Sequence, residues 1–320
     1  MAVLITGTAG FIGFHLAKNL LENGQDVIGL DNINDYYSVK LKEDRTQILS
    51  QYAKFKFYKT DLCDLPGLVT IFKENDIQKV VNLAAQAGVR YSLTNPFAYQ
   101  KSNLEGFINI IETSKNFKVE NFLYASSSSV YGNNTKLPFS TTDHVDHPIS
   151  LYAATKKANE LIAHTYSHLF GLPTSGFRFF TVYGPYGRPD MALFIFTRKI
   201  LAGEIIDVYN FGDMKRDFTY VDDICAGLMS SLDKPFAYEI FNLGNHRTEN
   251  LMDFIGIIEK TLQLKAKVNL LPIQPGDVPE TFADIDHTTL KLGYLPTTRI
   301  ETGIKNFIDW YKEYYKNDLP

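Results

Sequence analysis

The stretch AVLITGTAGFIG, residues 2–13, decides the fold of this chain. Four apolar residues and a threonine predict a buried strand, and glycines follow at positions 7, 10 and 13. The first glycine permits a tight turn, the second lets the backbone approach a ligand, and the third lets a helix pack closely on the strand. A helix that begins there offers its N–H groups to phosphates. The stretch therefore predicts a dinucleotide-binding turn over residues 7–13, with Gly7, Gly10 and Gly13 at its tightest points.

Short apolar runs alternate with amphipathic stretches through the first 180 or so residues. The runs are AVLIT, DVIGLD, KFKFYKT, KVVNLAA, NFLYASS and SGFRFF. Strands joined by helical crossovers are parallel, so this order predicts an α/β, Rossmann-like doubly wound parallel sheet in residues 1–180. After Phe180 the alternation breaks. For residues 181–320 we expect a smaller C-terminal substrate-binding α/β lid domain, some segments of which return to the first domain.

Composition excludes several classes of protein. The 320 residues are 45% hydrophobic and 21% charged, with a net charge of −4, so we expect no nucleic-acid or membrane partner. Cys63 and Cys225 are too few for a disulfide framework, and the N-terminus carries no basic segment before its apolar run. We therefore expect a cytoplasmic protein. His164 and His168 have the spacing of zinc ligands, but a third ligand is missing, so no metal site is expected.

Acidic residues follow the second and third predicted strands. Asp31 ends the second strand, 18 residues beyond Gly13, where a carboxylate can accept both hydroxyls of an adenosine ribose. Because a carboxylate there repels a 2′-phosphate, Asp31 favours NAD over NADP. Asp61 follows the third strand, where it either reads an adenine edge or forms a turn.

Tyr152 and Lys156 are four residues apart on a predicted helix, so their side chains share one face and can meet one ligand. A tyrosine is a poor base at pH 7, and lowering its pKa by about three units takes roughly 4 kcal/mol. One cation at about 4 Å supplies roughly that much, and Lys156 with a nicotinamide cation would supply two. The Ser-rich stretch 126–132 follows the fifth strand and offers hydroxyls to the same cleft. These residues fit a tyrosine base, but Tyr-x-x-x-Lys is also common on ordinary amphipathic helices, and a Ser-rich stretch can simply form a turn.

Six motifs together resemble one family. They are GTAGFIG (7–13), NLAAQAGVR (82–90), SSSSVYG (126–132), YAATKK (152–157), RFFTVYGPYGRPDM (178–191) and MKRDFTYVDDI (214–224). This set is similar to the extended short-chain dehydrogenase/reductases, specifically the NAD-dependent nucleotide-sugar epimerases, and it covers nearly the whole chain. The longer strings DNINDYY (31–37), SLYAATKKANE (150–160) and GRPDMALF (187–194) most resemble UDP-glucuronate 4-epimerases.

The resemblance implies a role for each residue at a matching position. Tyr152 would be the base, Lys156 would hold the nicotinamide ribose, and Ser127 would orient the sugar O4. Contacts with NAD are implied for Gly7, Gly10, Phe11, Ile12, Gly13, Asp31, Asn32, Asp61, Leu83, Ala84, Ala85, Gln86, Asn103, Tyr152, Lys156, Phe179 and Phe180. Contacts with a UDP-sugar are implied for Ser127, Ser128, Ser129, Thr181, Arg188, Arg216, Gln274, Asp277 and, unless it forms only a salt bridge, Arg90. Among these, Arg216 would clamp the diphosphate.

The implied reaction passes through a 4-keto sugar, with transient hydride transfer to tightly bound NAD. Ser127, Ser128 and Ser129 stand where related dehydratases carry Thr-Asp-Glu, which argues against elimination of water. Thr181 and Val182 replace the Asn-Pro of UDP-galactose-type epimerases. Hydroxyls of Ser128 and Thr181, with the Arg188 guanidinium, can satisfy a buried carboxylate. We therefore expect a UDP-glucuronate 4-epimerase.

Other readings remain open on the sequence alone. A 4-keto uronate is a β-keto acid, so a UDP-glucuronate decarboxylase is an alternative, as is a 4-epimerase of N-acetylated uronates or hexoses. A non-catalytic NAD-binding regulator is a third possibility, although the intact Tyr152 and Lys156 argue against it. The resemblance further implies a role in polysaccharide biosynthesis. It also implies a homodimer formed through the helices at 103–116 and 152–170.

Overall fold

The computed structural model describes residues 2–317 and is built around a seven-stranded β-sheet. The strands are β1 (Ala2–Thr6), β2 (Asp26–Asp31), β3 (Phe55–Lys59), β4 (Ile77–Asn82), β5 (Asn121–Ser127), β6 (Thr174–Phe179), β7 (Thr181–Tyr183), β8 (Ile205–Val208), β9 (Lys215–Arg216), β10 (Phe218–Tyr220), β11 (Tyr238–Leu243), β12 (Glu249–Asn250) and β13 (Lys267–Leu270). The helices are α1 (Phe11–Glu22), α2 (Val39–Leu49), α3 (Leu65–Glu74), α4 (Tyr91–Thr94), α5 (Pro96–Tyr99), α6 (Gly106–Asn116), α7 (Leu151–Phe170), α8 (Ala192–Leu201), α9 (Val221–Leu232), α10 (Leu251–Leu262), α11 (Asp286–Leu292) and α12 (Ile300–Tyr314). A π-helical segment, Gln100–Glu105, precedes α6, and 3-10 turns lie at Ser128–Tyr131 and Asn210–Gly212.

The central strands lie in the order β11-β6-β5-β4-β1-β2-β3 and are all parallel. β1 is buried along its whole length, and Leu4 pairs with Ile28 on one side and with Val80 on the other. The chain runs outward from β1 to β3 and then returns to β4 on the opposite side of β1. Parallel sheets bind ligands at such a reversal, beyond the carboxyl ends of the strands.

Helices cover both faces of the sheet. On one face, Phe14 of α1 and Leu228 of α9 belong to the same buried cluster as Val3. On the other face, Ile110 of α6 shares a buried cluster with Leu4. Adjacent residues of one strand thus face opposite layers, as a doubly wound sheet requires. The predicted Rossmann-like fold is confirmed.

The chain after residue 180 builds a smaller lobe and returns one strand to the sheet. Phe194, Ile258 and Phe307, from α8, α10 and α12, belong to a cluster whose buried members lie between residues 183 and 311. Within the described chain, β7 pairs with β10, β8 with β13 and β9 with β12. β11 pairs with β6 at one edge of the central sheet. The smaller lobe is therefore present, and its division from the first domain at residue 180 stays a prediction.

Candidate active site

A cleft of about 1140 Å³ opens at the carboxyl ends of the central strands and extends against the C-terminal lobe. Pockets for one small ligand usually measure about 300–1,000 Å³, so this cleft lies just above that range. Two of the predicted residues, Asn103 and Gln274, lie outside its lining. The other predicted residues line it: Gly7, Gly10, Phe11, Ile12, Gly13, Asp31, Asn32, Asp61, Leu83, Ala84, Ala85, Gln86, Arg90, Ser127, Ser128, Ser129, Tyr152, Lys156, Phe179, Phe180, Thr181, Arg188, Arg216 and Asp277.

The glycine turn after β1 is too tight for side chains. Gly7 has φ +78°, and a Cβ there would lie 2.9 Å from the backbone N of Ala84. A Cβ on Gly13 would lie 2.1 Å from the carbonyl oxygen of Gly7. Gly10 gives α1 no side-chain cap, and the first turn of α1 has no acidic residue. Because the first N–H groups of a helix need acceptors, this turn fits the pyrophosphate of a dinucleotide.

Asp31 ends β2 beside the glycine turn. Its carboxylate accepts hydrogen bonds from the N–H groups of Ala9 at 3.1 Å and Ile33 at 2.8 Å. Burial raises the pKa of Asp31, although these donors and the charges of Lys42 and Arg45 oppose the rise. The Asp31 carboxylate lies on the cleft wall, as expected from its position at the end of the second strand. Its contact with a ribose stays a prediction.

Asn32 and Asp61 form a hydrogen-bonded pair on the same wall. The amide of Asn32 donates to Asp61 at 2.8 Å, and the N–H of Cys63 donates to the other carboxylate oxygen at 2.9 Å. Burial alone would raise the pKa of Asp61, but these bonds hold it below its ordinary value. Asp61 is therefore both a turn residue and an anion on the cleft wall.

Asn103 supports the loop after β4 from behind. Its side chain accepts from the N–H of Gln86 at 2.8 Å and donates to the carbonyl of Gln86 at 3.1 Å. The same amide also donates to the Thr155 hydroxyl at 3.0 Å. Both amide hydrogens are thus engaged, and Asn103 is 1% exposed. Its direct contact with a cofactor stays a prediction, since the structure places it as a support for Gln86.

Lys156 projects from α7 into the cleft as a buried cation. The Ser150 side chain caps α7 by accepting the N–H of Ala153 at 3.1 Å. Lys156 is 4% exposed, and its Nζ donates to the Ala125 carbonyl at 2.9 Å. Burial lowers the pKa of Lys156 to about 8.

Tyr152 and Ser127 line the same part of the cleft. Burial raises the pKa of Tyr152, while the Ser127 hydroxyl and the charge of Arg188 oppose the rise. The sequence argument expected a lowered pKa once Lys156 and a nicotinamide cation act together. The side chains of the protein alone leave it raised, because burial dominates.

The part of the cleft beside Tyr152 is lined by hydroxyls and one guanidinium. The Ser127 hydroxyl donates to that of Ser129 at 3.1 Å, and Ser128 and Thr181 line the same space. Arg188 lies on this wall with 21% of its side chain exposed. These groups provide several hydrogen-bond donors near Tyr152.

The far end of the cleft carries two more arginines. Arg216 donates to the backbone carbonyls of Lys215, Val278 and Pro279 at 2.7–3.0 Å. Arg90 donates to Asp277 at 3.0 Å and lies over the Tyr209 ring, 4.7 Å from its centroid. Arg90 therefore both lines the cleft and forms a salt bridge. Gln274 accepts the N–H of Asp277 through its backbone carbonyl and lies outside the cleft lining, and its contact with a diphosphate stays a prediction.

A model of the NAD dependent epimerase/dehydratase family matches residues 3–244. The chain belongs to that family. It is 53% identical to protein CapI of Staphylococcus aureus over 99% of this chain and 100% of the relative. UDP-glucuronate 4-epimerase 4 of Arabidopsis thaliana is 47% identical over 99% of this chain and 77% of the relative. The structure of the UDP-glucuronic acid 4-epimerase of Bacillus cereus with UDP-glucuronic acid and NAD matches with TM-score 0.93 and 34% identity, over 98% of this chain and 100% of that one.

Sequence reasoning missed residues that this epimerase/dehydratase-family protein uses to hold its loops. Arg45 is fully buried and donates to the carbonyls of Ala9 at 2.7 Å and Tyr186 at 2.6 Å, and to the Tyr37 hydroxyl at 2.8 Å. It thus joins the cofactor turn to the loop that carries Arg188. No local signal marks it, because an arginine on a polar helix ordinarily faces solvent.

Neither a metal-binding cluster nor a membrane-spanning helix is present in residues 2–317 of this family member. No group of three or more His, Cys, Asp or Glu side chains in this range could hold a metal ion. No helix in the same range is long and apolar enough to cross a membrane.

Proposed function

We propose that this protein is a UDP-glucuronate 4-epimerase that interconverts UDP-glucuronate and UDP-galacturonate. One observation carries the proposal: Arg188 and Thr181 line the same cleft as Tyr152 and Lys156. Burying a carboxylate without partners costs several kcal/mol, and a guanidinium with neighbouring hydroxyls removes that cost. The relatives from Arabidopsis thaliana and Bacillus cereus, which carry this activity in their names, support the proposal.

The cofactor end of the cleft fits NAD. The uncapped start of α1 receives the pyrophosphate, Asp31 receives the adenosine ribose, and Lys156 receives the nicotinamide ribose. NAD, when bound, supplies reversible oxidation at the sugar C4. Because the protein regains its starting state in every cycle, these residues serve to retain the cofactor.

Tyr152 is the base in this proposal. Its phenolate accepts the proton of the sugar O4 and returns it when the opposite face of C4 is reduced. The Ser127 hydroxyl, which lines the same cleft as Tyr152, orients O4. A phenolate is unfavourable in a buried site, so a cation must stabilise it, and Lys156 has this role in the proposal. A cation at about 4 Å is worth up to about 4 kcal/mol.

The oligomeric state and the cellular location form a separate part of the proposal. Three apolar side chains on α5, α6 and α7 are exposed: Phe97 by 78%, Ile108 by 43% and Leu161 by 58%. Covering them in a homodimer through α6 and α7 removes this apolar surface from water. We propose a cytoplasmic homodimer that acts in polysaccharide biosynthesis, with residues 181–320 forming the sugar-binding domain. Sedimentation of the wild type and of Leu161→Glu tests the dimer.

The activity is tested by incubating the purified protein with UDP-glucuronate, without added NAD, and identifying products by NMR. The proposal predicts a mixture of UDP-glucuronate and UDP-galacturonate. A UDP-pentose would instead identify a decarboxylase. Faster conversion of a UDP-N-acetyl-uronate or of UDP-glucose, in parallel reactions, would identify one of the other epimerases.

A further inference from the structure

Arg188 uses only one edge of its guanidinium within the protein. Its Nε donates to Oδ1 of Asp190 at 3.0 Å, and its Nη2 donates to Oδ2 of the same carboxylate. A guanidinium has five N–H donors in one plane. The bidentate contact with Asp190 therefore leaves the donors on the edge formed by Nη1 and Nη2 available to a ligand. Nη1 has no hydrogen-bond acceptor among residues 2–317, and the side chain lines the cleft. The remaining edge has the geometry that pairs with a second carboxylate.

Asp190 is itself held in place by Tyr36. The Tyr36 hydroxyl donates to Oδ2 of Asp190 at 3.2 Å. Burial and the facing Asp190 charge raise the pKa of Tyr36 to about 12, so this hydroxyl stays a donor. Its ring lies 4.9 Å from that of Tyr91, and a Cβ on Gly88 would lie 2.7 Å from its hydroxyl. Residues in and just after the loop that follows β4 therefore pack tightly against Tyr36.

The Asp190 carboxylate is an anion in this arrangement. Burial alone would raise the pKa of Asp190, but the Arg188 charge and hydrogen bonds outweigh burial and lower it. The Asp190 and Arg188 pair therefore carries no net charge. A substrate carboxylate would be selected by two directed N–H donors, because the net charge of the wall offers it little attraction.

Without Asp190, the guanidinium of Arg188 would not be held in one orientation before the substrate binds. A long side chain that must be ordered when the ligand binds loses rotamer freedom at that moment, which weakens binding. Arg188 lies only two residues from Asp190 and on the same loop, so the carboxylate fixes the plane of the guanidinium before any ligand arrives. Tyr36 then ties this loop to the loop that follows β2.

We propose that Asp190 and Tyr36 are positioning residues that hold one edge of Arg188 towards the carboxylate of a uronate, and so set the preference for sugar acids. This inference rests on the proposed UDP-glucuronate activity. We call Tyr36, Arg188 and Asp190 the Arg188 clamp. Neither Asp190 nor Tyr36 touches the reacting C4 in this scheme, and both act through Arg188.

The test compares Asp190→Asn and Tyr36→Phe holoenzymes with the wild type. KM and kcat are measured with UDP-glucuronate, and UDP-glucose is titrated as a competing neutral ligand. Asp35→Asn is the matched control, since it removes one exposed negative charge next to Tyr36 in the chain. Bound NAD and the melting temperature of each variant are recorded as well.

We expect Asp190→Asn to raise KM for UDP-glucuronate by roughly 10- to 100-fold, because an amide cannot accept both N–H bonds. Its kcat and the inhibition constant of UDP-glucose should stay within about threefold, and Tyr36→Phe should raise KM by about 3- to 10-fold. Asp35→Asn should change neither constant. If Asp190→Asn loses its NAD or its stability, Tyr36→Phe decides, since it removes only a hydroxyl.

An unchanged or lower KM in the deciding variant would overturn the inference, as would equal weakening of UDP-glucuronate and UDP-glucose. A lower KM would mean that Asp190 competes with the substrate for Arg188. A wild-type protein that does not interconvert UDP-glucuronate and UDP-galacturonate refutes the proposed function itself. If the wild type interconverts the two UDP-uronates and the variants have the same KM as the wild type, only the Arg188 clamp is refuted.

Discussion

Replacing Lys156 by methionine should stabilise the cofactor-free protein at neutral pH while abolishing turnover. Burial lowers the pKa of Lys156 from 10.5 to about 8, and at about 1.4 kcal/mol per unit this costs the folded state about 3 kcal/mol at pH 7. Methionine removes that cost but leaves the Ala125 carbonyl without its donor, which costs about 1 kcal/mol. The net gain in the free energy of unfolding is therefore about 2 kcal/mol at pH 7.

The gain should depend on pH with a defined sign. Below pH 8 the folded and unfolded states both carry the proton, so the full cost is present. Between pH 8 and 10.5 the unfolded chain binds more protons than the folded one, so wild-type stability rises with pH relative to the variant. The advantage of Lys156→Met should thus shrink by about 1 kcal/mol between pH 7 and pH 9.

Urea unfolding of NAD-stripped wild type and Lys156→Met at pH 7 and pH 9 measures this advantage. Lys73→Met, which changes an exposed lysine on α3, is the control and should show no pH-dependent gain. The reasoning is refuted if Lys156→Met is less stable than the wild type at pH 7 and the difference is the same at pH 9. That result would mean that the buried ammonium is stabilised in the folded state.

Three further outcomes are expected. Tyr152→Phe should reduce kcat by roughly 10²- to 10⁴-fold with folding and bound NAD unchanged, and near-normal turnover would remove Tyr152 from the mechanism. Arg188→Leu should weaken UDP-glucuronate by about 100-fold or more and UDP-glucose far less, since only the acid is left with a buried carboxylate that has lost its N–H donors, and steady-state kinetics with both ligands measures this. Asp31→Arg should release NAD during purification and improve NADP binding, and fluorescence titration showing full NAD retention without NADP binding would contradict the assignment.

Much of the fold could be predicted because its signals are local. The glycine turn at 7–13 and the apolar runs before it need only neighbouring residues to be recognised, and they specify strand, turn and helix. β11 was not singled out, because the alternation of strands and helices breaks after Phe180, and no pattern there marks the strand that returns to β6. The sequence therefore indicated that a segment returns without indicating which one.

Site residues could be predicted where a single helix or strand carries them together. Tyr152 and Lys156 lie one helical turn apart, so spacing alone placed them together. Arg45 and Asp190 were missed, because their roles depend on backbone carbonyls or a tyrosine from distant loops. The support that Asn103 gives to the backbone of Gln86 was likewise not predicted, because it joins a π-helical segment to a distant loop, and its contact with the cofactor stays a prediction.

The raised pKa of Tyr152 could not be predicted either. The sequence argument counted cations on one helix face and had no measure of burial, which dominates in the folded protein. The same burial lowers the pKa of Lys156, so the two members of the pair are each held towards their neutral forms until ligands arrive.

The most direct test of the account uses UDP-glucuronate labelled with deuterium at C4. Purified protein is incubated with it in ordinary water, without added NAD, and the product is examined by proton and deuterium NMR. The account predicts UDP-galacturonate that keeps its carboxylate and its deuterium at C4, because C4 is oxidised and reduced within one closed site. Loss of the deuterium to solvent, or a product that lacks the carboxylate, would contradict it.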